Sequence, residues 1–476
     1  MTTFVNAVIN QEARTTNGMK ARANTGDACT DLFFKIGASR GKNVIPDFVA
    51  AYVTNPNVAL RIALWARDVR EGAGERKIFR DILTYLANNV SFDETSKVID
   101  RTVDLGRWDD ILILLEDTSL EQYHSVVLNK INQALRNGDG LCAKWMPRKG
   151  DVAVKLRNYM GMTPKQYRKT LVNLTKVVET QMCAKDWDNI NFSHVPSLAA
   201  SRYKKAFNRH TTSYKTWVES LIKGDKSVKV NAGAVYPYDV IKGLANYSWR
   251  QEYTKTELDA IVAQWNALPN YVGDANILPL VDVSGSMGCL AGGNKNLTCL
   301  DVAVSLGLYC ADKNTGKFKD TFLTFSDNPS LVNLKGDIVQ KVAQMSKSDW
   351  AMNTNLHKAF DKILSVAVKG NVPQEEMPEV LLIMSDMQFD VCVKHDDSAI
   401  EMISRKYENA GYKIPNVVFW NLNSTSNVPV KFDARGVALV SGFSPTILKS
   451  VLAGNFDDMT PYGIMMNTVM KDRYAI

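Results

Sequence analysis

The sequence predicts two domains of different class, an all-α helical-repeat domain followed by an α/β domain built on a mostly parallel sheet. Three observations carry this reading. The 476 residues are too many for one compact core. Apolar residues recur at three- and four-residue spacing until about residue 264. Beyond residue 275, short and continuously apolar runs alternate with helical patterns.

The helical pattern covers residues 46–53, 58–69, 75–88, 95–104, 120–135 and 164–180. Turn-forming segments such as Thr54-Asn55-Pro56-Asn57 and Arg136-Asn137-Gly138-Asp139-Gly140 separate these stretches. Thr163 is placed to cap a helix whose first residue is Pro164. Helices of this length with short connections, and no strand pattern among them, suggest stacked hairpins of the HEAT or armadillo sort.

In the second half, strand patterns fall at residues 276–282, 320–326, 379–384, 416–420 and 437–440. Helical patterns fall between them at 300–310, 356–366 and 399–409, with a last helix beginning at Pro445. The predicted division is therefore an arm over 1–26, the helical domain over 27–270 and the α/β domain over 271–476.

In a parallel sheet, ligands sit beyond the carboxyl ends of the strands. Asp282-Val283-Ser284-Gly285-Ser286 directly follows the first of these strands, and Asp386 follows the strand at 379–384. Asp282, Ser284 and Ser286 place oxygen donors at alternate positions on one loop. Thr354, just ahead of a helix, can add a hydroxyl, and Asp386 a second carboxylate. Such hard oxygen donors suit one divalent cation, Mg²⁺ before Mn²⁺ or Ca²⁺. Taken alone, a D-x-S-x-S string is equally a helix cap. Asp301 reads as a cap, Asp327 as part of a turn and His357 as a helix-surface residue. None of the three forms a nucleophile–base pair, so the expectation is a binding protein and not an enzyme.

Composition sets the remaining bounds. An apolar fraction of 45% and a charged fraction of 22% are those of a soluble globular chain. No window is long and apolar enough to span a membrane, and residues 1–14 lack the pattern of a secretory signal. The seven cysteines are odd in number, scattered and without C-x-x-C spacing, which favours reduced thiols in a cytoplasmic protein over a disulfide framework. Cys289 lies beside the metal loop, but its soft sulfur does not match the oxygen donors.

The net charge of +7 is unevenly spread. Residues 144–229 hold 18 basic and 6 acidic side chains, whereas residues 276–476 are slightly acidic. Within that basic stretch, Lys144, Arg148, Lys149, Arg157, Lys165, Arg168, Lys169, Arg202, Lys204, Lys205 and Arg209 are interleaved with Trp145, Tyr159, Tyr167 and Tyr203. Cations neutralise phosphates and aromatic faces stack on unpaired bases, so structured or single-stranded RNA is the expected partner. The bland alternative is a solvated basic face over core aromatics.

Separated segments carry a family resemblance. The corner Ala66-Arg67-Asp68-Val69-Arg70-Glu71-Gly72-Ala73-Gly74-Glu75, the run Val195-Pro196-Ser197-Leu198-Ala199, the tetrad Gly233-Ala234-Val235-Tyr236 and the Asp282 loop together resemble the DUF2828 family. In layout that family is similar to the Ro60-like TROVE proteins, a helical-repeat ring followed by a Rossmann-like von Willebrand factor A domain. The order strand–DxSxS, Thr before a helix, strand–Asp resembles the metal-ion-dependent adhesion site (MIDAS) of such domains. The resemblance implies a non-catalytic ribonucleoprotein scaffold whose basic ring binds RNA and whose metal domain closes the ring or recruits a partner. The competing expectation is a protein-interaction or phage assembly module that captures a partner carboxylate at the metal.

Overall fold

The computed structural model describes residues 12–244, 253–291, 296–325, 329–345, 355–389, 399–423, 427–453, 456 and 459–476. Helices dominate up to Asn266, and a six-stranded sheet organises the rest. Among the described residues no helix is long and apolar enough to cross a membrane.

The described residues begin with a small antiparallel hairpin, β1 (Glu12–Arg14) and β2 (Lys20–Arg22). The helical half then runs through Ala28–Ile36, Ile45–Thr54, Pro56–Arg67, Lys77–Asn89 and Phe92–Leu105, and onward to Lys255–Asn266. Successive helices pack on their neighbours, as stacked hairpins do. Their starts are capped by side chains: Ser91 accepts from Glu94 N, and Thr163 and Gln166 form a reciprocal box at Pro164–Leu174. The helical pattern read over 164–180 divides in the structure. Thr175 is extended, and a separate short helix, Val178–Cys183, begins three residues on. Val178 joins an aromatic satellite core with Ile190, Phe192, Phe207 and Tyr214, so tertiary burial overrides helical continuation.

The sheet contains β3 (Ile277–Asp282), β4 (Thr321–Phe325), β5 (Leu331–Asn333), β6 (Val380–Ser385), β7 (Asn416–Asn421) and β8 (Val437–Ser441). Their spatial order is β5-β4-β3-β6-β7-β8, parallel throughout except for the antiparallel edge strand β5. This is the doubly wound order in which the connections reverse on either side of the first central strand. β3 and β6 are buried along their whole length because helices cover both faces. One face packs on Phe360, Ile363 and Tyr407. The other merges with the helical half into a continuous core that includes Trp65, Trp265, Tyr309 and Trp420.

Two separated parts of the helical half meet the sheet domain. Helix Ala28–Ile36 lies along β8: Ser441 Oγ donates to Phe33 O and accepts from Gly37 N. A Cβ at Gly37 would fall 2.7 Å from the Ser441 carbonyl, so this approach requires glycine. At the other end, Trp265 Nε1 donates to Asp312 Oδ2, and Lys313 Nζ to the Trp265 carbonyl. Tyr236 Oη closes the circuit by donating to Ala73 O, across 163 residues of sequence.

Candidate metal centre and basic cavity

Asp282 ends β3 and Ser385 ends β6, side by side at the carboxyl rim where the strand order reverses. The tight turn at Gly285–Gly288 brings the loop hydroxyls back over this rim. Asp282 Oδ1 accepts from Ser284 N at 2.9 Å, and Oδ2 from Ser385 Oγ at 2.5 Å. Ser284 Oγ and Ser286 Oγ lie 2.9 Å apart, and the nearby Ser286 hydroxyl works to lower the pKa of Asp386. Asp282, Ser284, Ser286 and Asp386 therefore converge. Thr354 lies outside the described residues, as do Asp327 and Cys392.

The electrostatics are those of two crowded carboxyls that a cation could relieve. Burial pushes the Asp282 carboxyl up to about 6; Ser385 and Ser284 oppose the shift, and the charge of Asp386 adds to it. Asp386 is also raised by burial, against hydrogen bonds from Ser286 and Gln388 N and the positive charge of Lys42. Two crowded, buried carboxylates and two hydroxyls suit a hard divalent ion. No three His, Cys, Asp or Glu side chains gather into a metal group among the described residues.

The neighbouring polar residues have structural partners. Asp301 and Thr298 form a capping box at the start of helix Cys299–Lys313. His357 is held between Asp361 and Lys406, facing the neighbouring helix Ala399–Asn409 and not open solvent. Cys289 lies 3.4 Å from Cys299 and accepts from Asn423 Nδ2.

In the helical half, a cavity of about 1350 Å³ opens among helices widely separated in sequence. Its wall carries Arg76, Arg107, Lys144, Lys176 and Arg202, with Trp145 and Tyr203 beside them. The Arg107 guanidinium stacks 3.5 Å above the Trp145 ring and pairs with Asp109. Arg76 makes no side-chain hydrogen bond or ion pair among the described residues. Desolvation, together with the charges of Arg107 and Arg67, lowers its pKa. Asp139 and Glu179 also reach the wall, but Asp139 caps helix Gly140–Trp145 and accepts from Trp108 Nε1, while Glu179 accepts from Tyr203 Oη. The excess charge is positive.

The basic residues read from sequence do not form one group. Lys144 and Arg202 line the cavity. Lys204 and Lys205 gather over the Tyr253 ring instead, and desolvation pushes Lys204 down to about 8. Arg148, Lys149, Lys165, Arg168, Lys169 and Arg209 are exposed on the outside, and Arg157 is half-buried. Arg76 and Arg107 were not legible as partners because both precede the basic stretch. Charges around the Gly72 corner pair with distant residues: Arg67 with Asp110, Glu75 with Arg40, and Asp68 with Arg473.

Comparison with known proteins matches residues 15–90 and 122–276 to the family described as "Domain of unknown function (DUF2828)". Residues 276–472 match "Domain of unknown function (DUF7788)". Uncharacterized protein L728 of Acanthamoeba polyphaga mimivirus is 31% identical over 515 residues, spanning 96% of this chain and 86% of that protein. Among solved structures, the Ro (RSR) protein of Deinococcus radiodurans aligns with a TM-score of 0.48 at 13% identity, covering 93% of this chain and 99% of that one.

Proposed function

The chain belongs to the DUF2828 family, and from that premise we propose that it is a non-catalytic RNA-binding scaffold whose helical half takes single-stranded RNA into the basic cavity. The observation that carries this reading is the cavity wall, where Arg76 makes no ion pair among the described residues and the Arg107 guanidinium lies over the Trp145 ring. Phosphates would relieve the crowding of Arg76, Arg107 and Lys144, and releasing their counterions would favour binding. An unpaired base can stack on an aromatic or guanidinium plane where a base pair cannot. The exposed cations at Arg148, Lys149, Arg168 and Lys169 would steer the polyanion from outside.

On this reading Asp282, Ser284, Ser286 and Asp386 hold one divalent cation, with Thr354 the further ligand that the MIDAS resemblance implies. When bound, the ion would offer an open coordination position to a partner carboxylate. Ser286 is exposed, which favours a second reading in which recruiting a protein partner at this rim is the main role.

Purification from the native host followed by sequencing of bound RNA tests the first reading, together with titration of short single-stranded and duplex RNAs at several salt concentrations. Binding of single strands in preference to duplex, with affinity falling as salt rises, is expected. Failure to bind either RNA at low salt would overturn it and leave the partner-recruiting role.

A further inference from the structure

We propose that Cys289 and Cys299 form a reversible dithiol–disulfide pair that fastens the turn after β3 to the start of helix Cys299–Lys313. The inference rests on their geometry and not on the RNA or metal reading.

Ten residues apart in sequence, the two sulfurs stand 3.4 Å from each other. The backbone holds them there. Cys299 N donates to Cys289 O at 3.0 Å, Ala291 N donates to Leu297 O at 2.8 Å, and Leu290 and Thr298 form an antiparallel bridge between them. Cys289 and Cys299 are thus the next opposed pair of a miniature ladder. Opposed residues at a hydrogen-bonded position have Cα atoms about 5.5 Å apart. Disulfides span the same distance, roughly 4.4–6.8 Å between Cα atoms. Joining the sulfurs needs side-chain rotation and little backbone movement. Among the described residues no other cysteine touches a second sulfur.

The two thiols differ in access. Cys299 is 1% exposed and hydrogen-bonds the Leu422 carbonyl, whereas Cys289 is half-buried and reachable. A low-molecular-weight disulfide of the glutathione type would be attacked by the Cys289 thiolate, releasing one small thiol and leaving a mixed disulfide. Cys299 then gives up its proton to solvent, and its sulfur attacks that of Cys289 and expels the second small thiol. The protein loses two electrons and two protons, and the small disulfide gains them as two thiols. Such bonds in intracellular proteins are usually transient.

The change would reach beyond the loop. Asn423 donates to Cys289 Sγ and accepts from Lys42 Nζ, a residue of the helical half. Leu422, whose carbonyl takes the Cys299 thiol, donates its own N–H to Ser385 O at the end of β6. Oxidation removes the hydrogen that Cys299 donates to Leu422 and moves the sulfur that accepts from Asn423.

The test is mass spectrometry of the full chain after incubation with oxidised glutathione and alkylation of the remaining thiols. A Cys289–Cys299 cross-linked peptide in monomeric protein is expected, with alkylation of both residues reduced by at least about tenfold and restored by dithiothreitol. Cys299→Ser should instead trap a glutathione adduct on Cys289. The proposal fails if Cys183, which is exposed, takes up glutathione while Cys289 and Cys299 stay fully alkylated. It fails equally if wild-type Cys289 keeps its glutathione and no link to Cys299 forms.

Discussion

Asp68, at the first helical corner, receives two hydrogen bonds from the Arg473 guanidinium, at 2.5 and 2.8 Å, across 405 residues of sequence. The neighbouring Tyr474 hydroxyl adds a third at 3.0 Å. The carboxylate is fully buried, so these donors replace its water. Arg101 donates to the Arg473 carbonyl, which fixes the strap from a second helix.

Removing this strap should be costly. Arg473→Ala leaves a buried carboxylate with the Tyr474 hydroxyl and the Arg70 N–H but no cation, and a loss of about 3 kcal/mol is expected in thermal or urea unfolding. Burial opposes ionisation of Asp68, yet Arg473 and Tyr474 hold its carboxyl below the ordinary range. The stabilisation is therefore present above the unfolded carboxyl value and is lost as pH falls through the folded one. An unchanged melting temperature in Arg473→Ala would contradict the assignment.

Cation binding should appear as thermal stabilisation. Mg²⁺ at roughly a hundred times its dissociation constant adds about 2.7 kcal/mol to a protein that binds it only when folded. The expected outcome is a Mg²⁺-dependent rise in melting temperature for the wild type and none for Asp282→Ala combined with Asp386→Ala. A rise of the same size in the double variant would exclude these carboxylates as ligands.

Cavity and outer surface can be separated by salt dependence. Reversing Arg76 and Arg107 to Glu should weaken binding of single-stranded RNA at least about tenfold and flatten its slope against salt. Reversal of Arg148, Lys149, Arg168 and Lys169 should act mainly on the association rate. Trp145→Ala should weaken binding by about 1–3 kcal/mol with the salt slope preserved, because stacking releases no counterions. Equal losses from all three sets would place the RNA elsewhere.

Glu75 supplies a pH signature at the junction. Burial pushes its carboxyl from 4.5 up to about 7, against the opposing charges of Arg40 and Arg67. A raised value means the folded state keeps its proton longer. This contribution is complete below about 4.5 and disappears as pH rises through about 7, with a ceiling of about 3 kcal/mol. Glu75→Gln should flatten the melting-temperature profile between about pH 5 and about pH 8, whatever its constant offset. A profile as steep as that of the wild type would assign the titration to another group.

The sheet was legible because five of its strands are continuously apolar runs that announce burial on both faces, as at Ile277–Asp282 and Val380–Ser385. Its edge strand Leu331–Asn333 was not, being three residues long and largely exposed. The hairpin β1–β2 escaped notice for a different reason. Its ordering comes from distant partners: Thr15 donates to Phe389 O and Asn17 to Gln388 O. The rim carboxylates could be read from spacing, since strand ends and strand order bring them together. The cavity could not, because Arg76, Trp145 and Arg202 sit on helices whose mutual rotation no local pattern records. Cys289 and Cys299 were hidden likewise, because ten-residue spacing alone does not show that two cysteines will stand opposed.

The contact between Phe33 and Ser441 has a consequence during synthesis. Helix Ala28–Ile36 must wait for the last strand of the sheet, 408 residues later, before its contact with Ser441 can form. At roughly 5–20 residues per second that delay is on the order of 20–80 s, during which Phe34 waits for the sheet-side core it joins. A chaperone that shields apolar helices on nascent chains would have a long engagement with this protein at helix Ala28–Ile36.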